Sequence, residues 1–143
     1  MPLAIGLALA LSAFGSTAAA TSTTPAPVSQ PAAQTVQQQV AAYFADIPIM
    51  VDISRCESHF RQYDASGDVF RGEQNNQDVG VMQINEHYHL DTSKKIGDNI
   101  YTTAGNLAYA RFLYEQEGTA PWSSSQPCWG KSKAAQDLAR ATN

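Results

Sequence analysis

The stretch from Ile47 to Phe60 reads IPIMVDISRCESHF. Pro48 stands where a proline can occupy the first turn of a helix, and the residues after it follow helical spacing. At about 100° per residue, one face of that helix collects Ile49, Ile53, Cys56 and Phe60. Glu57 falls inside the same arc, about 80° from the first of these residues, whereas Arg55 points the other way. The pattern therefore predicts a helix that directs one carboxyl towards apolar neighbours.

The carboxyl of Glu57 is the sharpest chemical signal in the sequence. Desolvation by apolar neighbours disfavours the ionised form of a carboxyl and raises its pKa towards neutrality. A carboxylic acid in that state can donate a proton at working pH, which is what general acid catalysis requires. The alternative is a glutamate at a helix end that simply reaches water.

The segment from Ser58 to Val79 has no helical period and is rich in Gly, Asp, Asn and Gln, which predicts a loop or a small hairpin. It leads into Gly80–Asn85, which reads GVMQIN. The glycine permits a tight approach of the chain, and Gln83 is a lone amide that could orient a sugar hydroxyl or N-acetyl group. Two alternatives are purely structural: Asp78 caps a short helix, and Met82 fills the core.

The rest of the domain is predicted to be mainly α-helical, with the hairpin as a small lobe of an α+β fold. The longest helix is predicted to begin at Asp98 or Asn99 and to end at Gly118, its C-terminal cap. Gly105 inside it indicates a close helix crossing. Three further segments are a first helix from Val40 to Asp46, a loop from Pro121 to Trp129 and a final helix from Lys131 to Ala141.

The first 45 residues carry no charged side chain. Residues 3–14 read LAIGLALALSAF, which is too short for a membrane-spanning helix but typical of a secretory signal peptide. We therefore predict a signal peptide over residues 1–20, a disordered linker over 21–39 and a folded domain over 40–143. No Lys or Arg stands upstream, so either the α-amino group of Met1 supplies the only positive charge or the start is truncated; the alternative to a signal peptide is an uncleaved apolar anchor.

An exported chain is expected to be secreted or periplasmic and to meet an oxidising environment. Cys56 and Cys128 are the two cysteines, which predicts one disulfide; the alternative is two buried free thiols. A net charge of -4 argues against nucleic acid as a partner, because phosphate binding needs a basic face. His59, His87 and His89 complete no recognisable ligand set, so we expect no metal and no cofactor. We expect the mature chain to be a monomer without stable membrane insertion.

Three motifs follow one another between residues 49 and 112: Cys56-Glu57-Ser58-x-Phe60, Gly80-Val81-Met82-Gln83-Ile84-Asn85 and Asp98-Asn99-Ile100. In this order and spacing they resemble the lysozyme-like superfamily, especially the soluble-lytic-transglycosylase-type domains. The resemblance implies that Glu57 is the catalytic acid and base, that Ser58, Met82 and Gln83 line a sugar cleft, and that Asn99 supports it. Asn85, the last residue of the second motif, and Tyr88, three residues after it, are further candidate substrate-binding residues.

Two relatives within the superfamily differ in what they imply. The stretch from Asp78 to Asn85 is similar to one in animal-type lysozymes, which implies that Asp78 is a second catalytic carboxylate, acting as nucleophile or electrostatic stabiliser. A cysteine directly before the glutamate, paired with one in a late tryptophan-containing loop, is similar to resuscitation-promoting factors. The fourth transglycosylase motif, with its cleft tyrosine, has no clear match; Tyr109 and Tyr114 are the candidates.

These resemblances imply an enzyme that acts on peptidoglycan glycan strands. The favoured function is a lytic transglycosylase that cleaves the β-1,4 bond between N-acetylmuramic acid and N-acetylglucosamine with a single glutamate. The first alternative is a lysozyme-type muramidase that uses Glu57 and Asp78 together. The second alternative is a non-catalytic module that binds cell-wall glycan.

Overall fold

The structure is a computed structural model that describes residues 32–142. This part of the chain is mainly helical, with a two-stranded antiparallel sheet and a disulfide between Cys56 and Cys128, as the sequence predicted. The elements are α1 (Val36–Tyr43), α2 (Pro48–Ser58), β1 (Asp78–Val79), β2 (Ile84–Asn85), α3 (Glu86–Ile96), α4 (Thr103–Glu117), a 3-10 helix (Ala120–Ser125), α5 (Gln126–Trp129) and α6 (Lys133–Ala141). The predicted signal peptide and residues 21–31 of the predicted linker lie outside the described residues.

Helix α1 begins four residues before the predicted start of the domain at Val40. Thr35 and Gln38 form a capping box, in which each side chain bonds the backbone N–H of the other residue. The helix is also anchored by Val40, which is fully buried, and by Val36, which packs against the core. The last residues of the predicted linker are therefore helical.

Helix α2 begins with Pro48 at its first turn, as predicted. Ile49 and Ile53 are in the core, as the helical spacing indicated, and Met50 beside them is completely buried. The helix ends at His59, whose backbone is left-handed with φ 54°. This end places Glu57 in the last helical turn, where a side chain can leave the core and reach a surface cleft.

The turn between β1 and β2 is held by buried side chains that bond its backbone: Ser58, Gln62, Asn106 and Trp122. Asn106 accepts a hydrogen bond of 2.8 Å from the Met82 amide and donates one of 3.0 Å to the Val79 carbonyl. Gly80 has φ +73°, and a Cβ there would lie 2.5 Å from the Asn106 amide nitrogen. Only glycine fits this position without displacing the amides that fix the turn.

Helix α3 was not predicted, although Asn85 caps its start and Gly97 ends it with a left-handed backbone. Helix α4 begins at Thr103 after the cap Thr102, later than the predicted Asp98 or Asn99, and ends at Gly118 as predicted. Gly105 does not mark a helix crossing. A Cβ there would lie 2.1 Å from the carbonyl oxygen of Asn99, so the glycine admits the backbone that leads into the helix.

The segment from Pro121 to Trp129 was predicted as a loop but is helical, because it belongs to the 3-10 helix and to α5. Trp122 and Trp129 are both buried, and the Trp122 indole N–H donates to the Met82 carbonyl at 2.9 Å. Cys128 in α5 bonds Cys56 in α2 across a separation of 72 residues. This segment therefore packs against both the end of α2 and the turn between the strands.

Two further findings concern residues 32–142 as a whole. Every buried side-chain nitrogen or oxygen in this range has a hydrogen-bond partner. No helix in it combines the length and the apolar character needed to cross a membrane.

Candidate active site

A cleft opens beside the C-terminal end of α2. Two cavities of about 410 Å³ and 120 Å³ form it, and both are lined by Glu57, Asp78, Gln83 and Ser124. The predicted acid, the predicted second carboxylate and the predicted sugar-binding amide therefore share one cleft. Asn85 lines the smaller cavity, which places a fourth predicted site residue there.

Glu57 is anchored from the far side of the cleft by the segment that carries Cys128. Its Oε1 accepts a hydrogen bond of 2.5 Å from the Ser125 hydroxyl. The disulfide starts at Cys56, the neighbour of Glu57, and holds this segment against the end of α2. No hydrogen bond from the described residues reaches Oε2, so this oxygen has no protein partner among them.

Burial raises the pKa of the Glu57 carboxyl above its ordinary value. The hydrogen bond from Ser125 opposes this by stabilising the ionised form, and the negative charge of Asp78 raises the pKa further. The pKa of Glu57 is therefore shifted upwards, which is the direction that the sequence predicted. A raised pKa keeps a carboxyl protonated to higher pH, and a protonated carboxyl is the form that can act as a general acid.

Ser125 has one proton and two acceptors within reach, Oε1 of Glu57 at 2.5 Å and the Trp122 carbonyl at 3.1 Å. The Trp129 indole N–H donates to the Ser125 oxygen at 3.0 Å. Accepting that bond polarises the hydroxyl and strengthens its donation to the carboxylate. Sequence reasoning missed this serine. Its signal was the run of three serines close to Cys128, in the segment that the disulfide joins to Cys56 beside Glu57.

Replacing Ser125 with Ala is expected to raise the pKa of Glu57, because the variant loses a hydrogen bond that stabilises the carboxylate. A general acid must be protonated, so the alkaline limb of the activity profile is expected to move to higher pH. The measurement is the pH dependence of glycan cleavage. Ser123→Ala, an exposed serine in the same 3-10 helix, is the control, and an unchanged alkaline limb in Ser125→Ala would contradict the assignment.

Asp78 lies on β1, directly opposite Asn85 on β2. Its Oδ1 accepts a hydrogen bond of 2.7 Å from the side-chain amide of Asn85 and one of 3.2 Å from the side-chain amide of Asn75. Two amide donors fix the carboxylate, and no hydrogen bond from the described residues reaches Oδ2. The predicted helix-capping alternative for Asp78 does not hold, because this residue is in a strand.

Gln83 has a left-handed backbone with φ 50°. Its Nε2 donates to the Gly80 carbonyl at 2.9 Å, which bends the side chain back over the turn. Gly72 leaves room for it, since a Cβ at position 72 would lie 2.7 Å from Oε1 of Gln83. A non-glycine residue held in this backbone region is a feature that clusters at binding and active sites.

Three predicted site residues are buried in place of lining the cleft. Met82 is completely buried in the core, which agrees with the structural alternative for it. Ser58 is also completely buried and donates to the Val81 carbonyl at 2.8 Å. Tyr109 is 1% exposed and lies 3.1 Å through its hydroxyl from Nδ1 of His89. These side chains support the walls of the cleft from behind.

Three other predicted residues lie away from the cleft. Asn99 is exposed and accepts a hydrogen bond of 3.1 Å from the Tyr101 amide, so it shapes the chain before α4. Tyr88 is 73% exposed and contacts the ring of His87 edge-on. Tyr114 lines a separate groove between α2 and α6. The third family motif therefore contributes no cleft side chain at the position expected.

His89 lines the smaller cavity together with Leu113 and Trp122. Burial lowers the pKa of His89, and the charge of Glu117 opposes this effect. Its Nδ1 contact with Tyr109 fixes the ring. The lowered pKa favours the neutral form of this imidazole.

No group of three or more His, Cys, Asp or Glu residues between residues 32 and 142 is arranged to hold a metal ion. Comparison with known proteins adds no assignment, since no family model, curated protein or solved structure matches the chain. The residues of the cleft are therefore the basis on which a function can be proposed.

Proposed function

We propose that this chain is a lytic transglycosylase that cleaves the β-1,4 bond between N-acetylmuramic acid and N-acetylglucosamine in peptidoglycan. The observation that carries the proposal is the Glu57 carboxyl, which lies in a cleft with its pKa raised by burial and with Oε1 bonded by Ser125. The sequence motifs around Glu57 and Gln83 supply the substrate class. A helix ending beside a small hairpin also supports a lysozyme-like fold.

In the first step, Oε2 of Glu57 donates its proton to the glycosidic oxygen, and the bond from that oxygen to the muramyl anomeric carbon breaks. The N-acetylglucosamine chain leaves as an alcohol, and positive charge develops on the muramyl carbon and ring oxygen. Ser125 keeps Oε1 as a hydrogen-bond acceptor, which leaves the proton on the oxygen that faces the substrate.

In the second step, the ionised Glu57 acts as a base. It takes the proton of the muramyl 6-hydroxyl while that oxygen bonds the anomeric carbon, which gives a 1,6-anhydro product and restores the protonated acid. One carboxyl therefore serves both steps, and its raised pKa suits a group that must alternate between acid and base.

A muramidase is the second candidate function, and the position of Asp78 favours it. Asp78 lines both cavities with Glu57 and raises the pKa of that carboxyl through its charge. Both side-chain amides bond its Oδ1, and no hydrogen bond from the described residues reaches its Oδ2. A carboxylate so placed could stabilise the muramyl cation or bond it while water completes a hydrolysis.

Replacing Asp78 with Asn distinguishes the two functions. For a transglycosylase we expect release of anhydromuramyl products to stay within about tenfold of wild type, because Glu57 performs both proton transfers. For a muramidase the same change removes the second carboxylate, and cleavage falls by roughly 100-fold or more. Asp91→Asn, an exposed change on α3, is the matched control. The measurement is mass spectrometry of the muropeptides released per unit time.

We also propose that the chain acts outside the cytoplasm, on the wall itself. The disulfide between Cys56 and Cys128 supports this location, because such bonds persist in oxidising compartments. The uncharged apolar run near the start of the sequence, which is typical of a signal peptide, supports it independently.

A further inference from the structure

Arg61 is the one Lys or Arg among the described residues that line the two cavities of the cleft. The carboxylates of Glu57, Glu73 and Asp78 line the same cleft. A cleft with this balance repels an anionic group unless a cation is aimed at it. The placement and freedom of the Arg61 guanidinium therefore decide whether the cleft can accept a negatively charged substituent.

The guanidinium of Arg61 is held in place from two sides. Its Nε donates to the Ser58 carbonyl at the end of α2, at 2.9 Å. Its carbon lies 3.9 Å from the centre of the Phe70 ring, so the planar group stacks on an aromatic face. Ring stacking and one fixed nitrogen reduce the freedom of the side chain before any ligand binds.

The two terminal nitrogens of Arg61 make a single ion pair with the residues that the structure describes. It joins Nη2 to Glu73 at 4.0 Å, the outer limit for such a contact. The Glu73 side chain is 85% exposed and that of Arg61 47%, so water competes for both groups. Exposed ion pairs contribute little, and an incoming carboxylate can displace Glu73 at small cost.

We propose that Arg61 forms a carboxylate-binding subsite of the cleft, which recognises an acidic substituent carried by muramic acid. The inference rests on the proposed function and narrows its substrate class. The terminal nitrogens form a planar fork that matches a carboxylate through two parallel hydrogen bonds. Glycan made only of N-acetylglucosamine carries no carboxylate, so the subsite separates peptidoglycan from chitin.

The carboxylate has two possible sources on the substrate. In glycan strands stripped of peptide, the lactyl group of muramic acid ends in a free carboxylate. In intact wall material that group is joined to the peptide stem, and the stem supplies its own carboxylates. The chemistry at Arg61 is the same in both cases, so separate ligands are needed to tell the sources apart.

Binding is measured in a Glu57→Gln background, so that no ligand is cleaved. Three probes are titrated by calorimetry: a peptide-free glycan hexasaccharide, a hexasaccharide with peptide stems, and chitohexaose. Arg61→Met is expected to weaken binding of at least one carboxylate-bearing probe by about tenfold or more. Its affinity for chitohexaose is expected to equal that of the protein with Arg61 intact. Weaker binding of the peptide-free probe identifies the lactyl carboxylate as the group that Arg61 binds. Weaker binding of the stem-bearing probe identifies a carboxylate of the peptide stem.

Arg55→Met is the matched control, because it removes the same charge from an exposed position of α2 outside the cleft. Glu73→Gln is a second variant with the opposite expectation: it removes the competing carboxylate and should tighten binding of the acidic probes. The proposal is overturned if Arg61→Met binds every probe with the same affinity as Arg55→Met. It is also overturned if Arg61→Met weakens binding of chitohexaose as much as binding of the acidic probes. Cleavage by the wild-type protein is measured separately. If Arg61 favours the acidic probes but the wild-type protein cleaves no glycan, the proposed function is overturned and the binding role of Arg61 stands.

Discussion

Replacing Glu57 with Gln is expected to reduce peptidoglycan cleavage by roughly 100- to 10,000-fold, which is the usual contribution of a general acid. Gln has nearly the same shape, and its carbonyl oxygen can still accept the hydrogen bond from Ser125. The amide cannot donate an acidic proton to the glycosidic oxygen. The variant should therefore keep wall binding and lose product release, measured as soluble muropeptides.

Stability provides the internal control for this variant. Burial raises the pKa of Glu57 in the folded state, so the folded protein binds its proton more tightly than the unfolded chain does. Stability contributed by this group is present below the unfolded pKa and is lost as the pH rises through the folded pKa. Glu57→Gln cannot ionise and should be at least as stable as wild type at neutral pH.

Glu115→Gln removes an exposed glutamate of α4 by the same chemical change and should retain full activity. If both variants cleave like wild type, Glu57 is not the acid. If the wild-type protein binds wall glycan but never cleaves it, the non-catalytic alternative from the sequence replaces the enzyme. A melting curve of each variant separates loss of catalysis from loss of fold.

Replacing both Cys56 and Cys128 with Ser is expected to lower the free energy of unfolding by about 4 kcal/mol. The disulfide closes a loop of 72 residues, and the chain-entropy model gives that figure for a loop of this length. This loss is a large share of the whole free energy of unfolding of a small domain. Urea denaturation of oxidised wild type and of the double variant measures it.

Loss of the disulfide is expected to reduce activity even under conditions where the variant remains folded. The disulfide holds the segment with Ser125 against Glu57, so without it the hydroxyl is free to leave the carboxyl. A reducing agent should reproduce both losses in wild type and change nothing in the double variant, which has no disulfide to reduce. A loss of unfolding free energy below about 1 kcal/mol would contradict the structural role given to the disulfide.

The helix around Glu57 could be predicted because its position follows from spacing alone. Pro48 sets the start of the helix, and the period of Ile49 and Ile53 fixes which face is buried. Once that face is known, the direction of Glu57 follows from its rotation about the axis. The same logic does not apply to the turn that follows β1, because left-handed residues such as Gln83 break the regular alternation of side chains.

Met82 and Ser58 show what a motif leaves undetermined. The resemblance marked both as cleft residues, but it does not state which side chains of a motif face the substrate. In this chain Met82 fills the core, and Ser58 bonds the Val81 carbonyl. Both side chains support the cleft wall from behind, Met82 by filling space and Ser58 by its hydrogen bond.

Ser125 and helix α3 were missed for different physical reasons. Three consecutive serines look alike in a sequence, and only the geometry of the 3-10 helix brings Ser125 to Glu57. Helix α3 has a single buried residue, Ser93, so it lacks the apolar stripe from which a helix is usually recognised. Its signals were the cap residues Asn85 and Gly97 at its ends.

The most direct test of the central claim, that Glu57 cleaves peptidoglycan as a general acid, is mass spectrometry of soluble products. Oxidised wild-type protein and Glu57→Gln are incubated in parallel with purified peptidoglycan. We predict anhydromuramyl products from wild type and none from the variant. Muramyl products with a reducing end would replace the transglycosylase with the muramidase and give Asp78 a catalytic role. Equal product release by both proteins, or none by wild type, would contradict the claim.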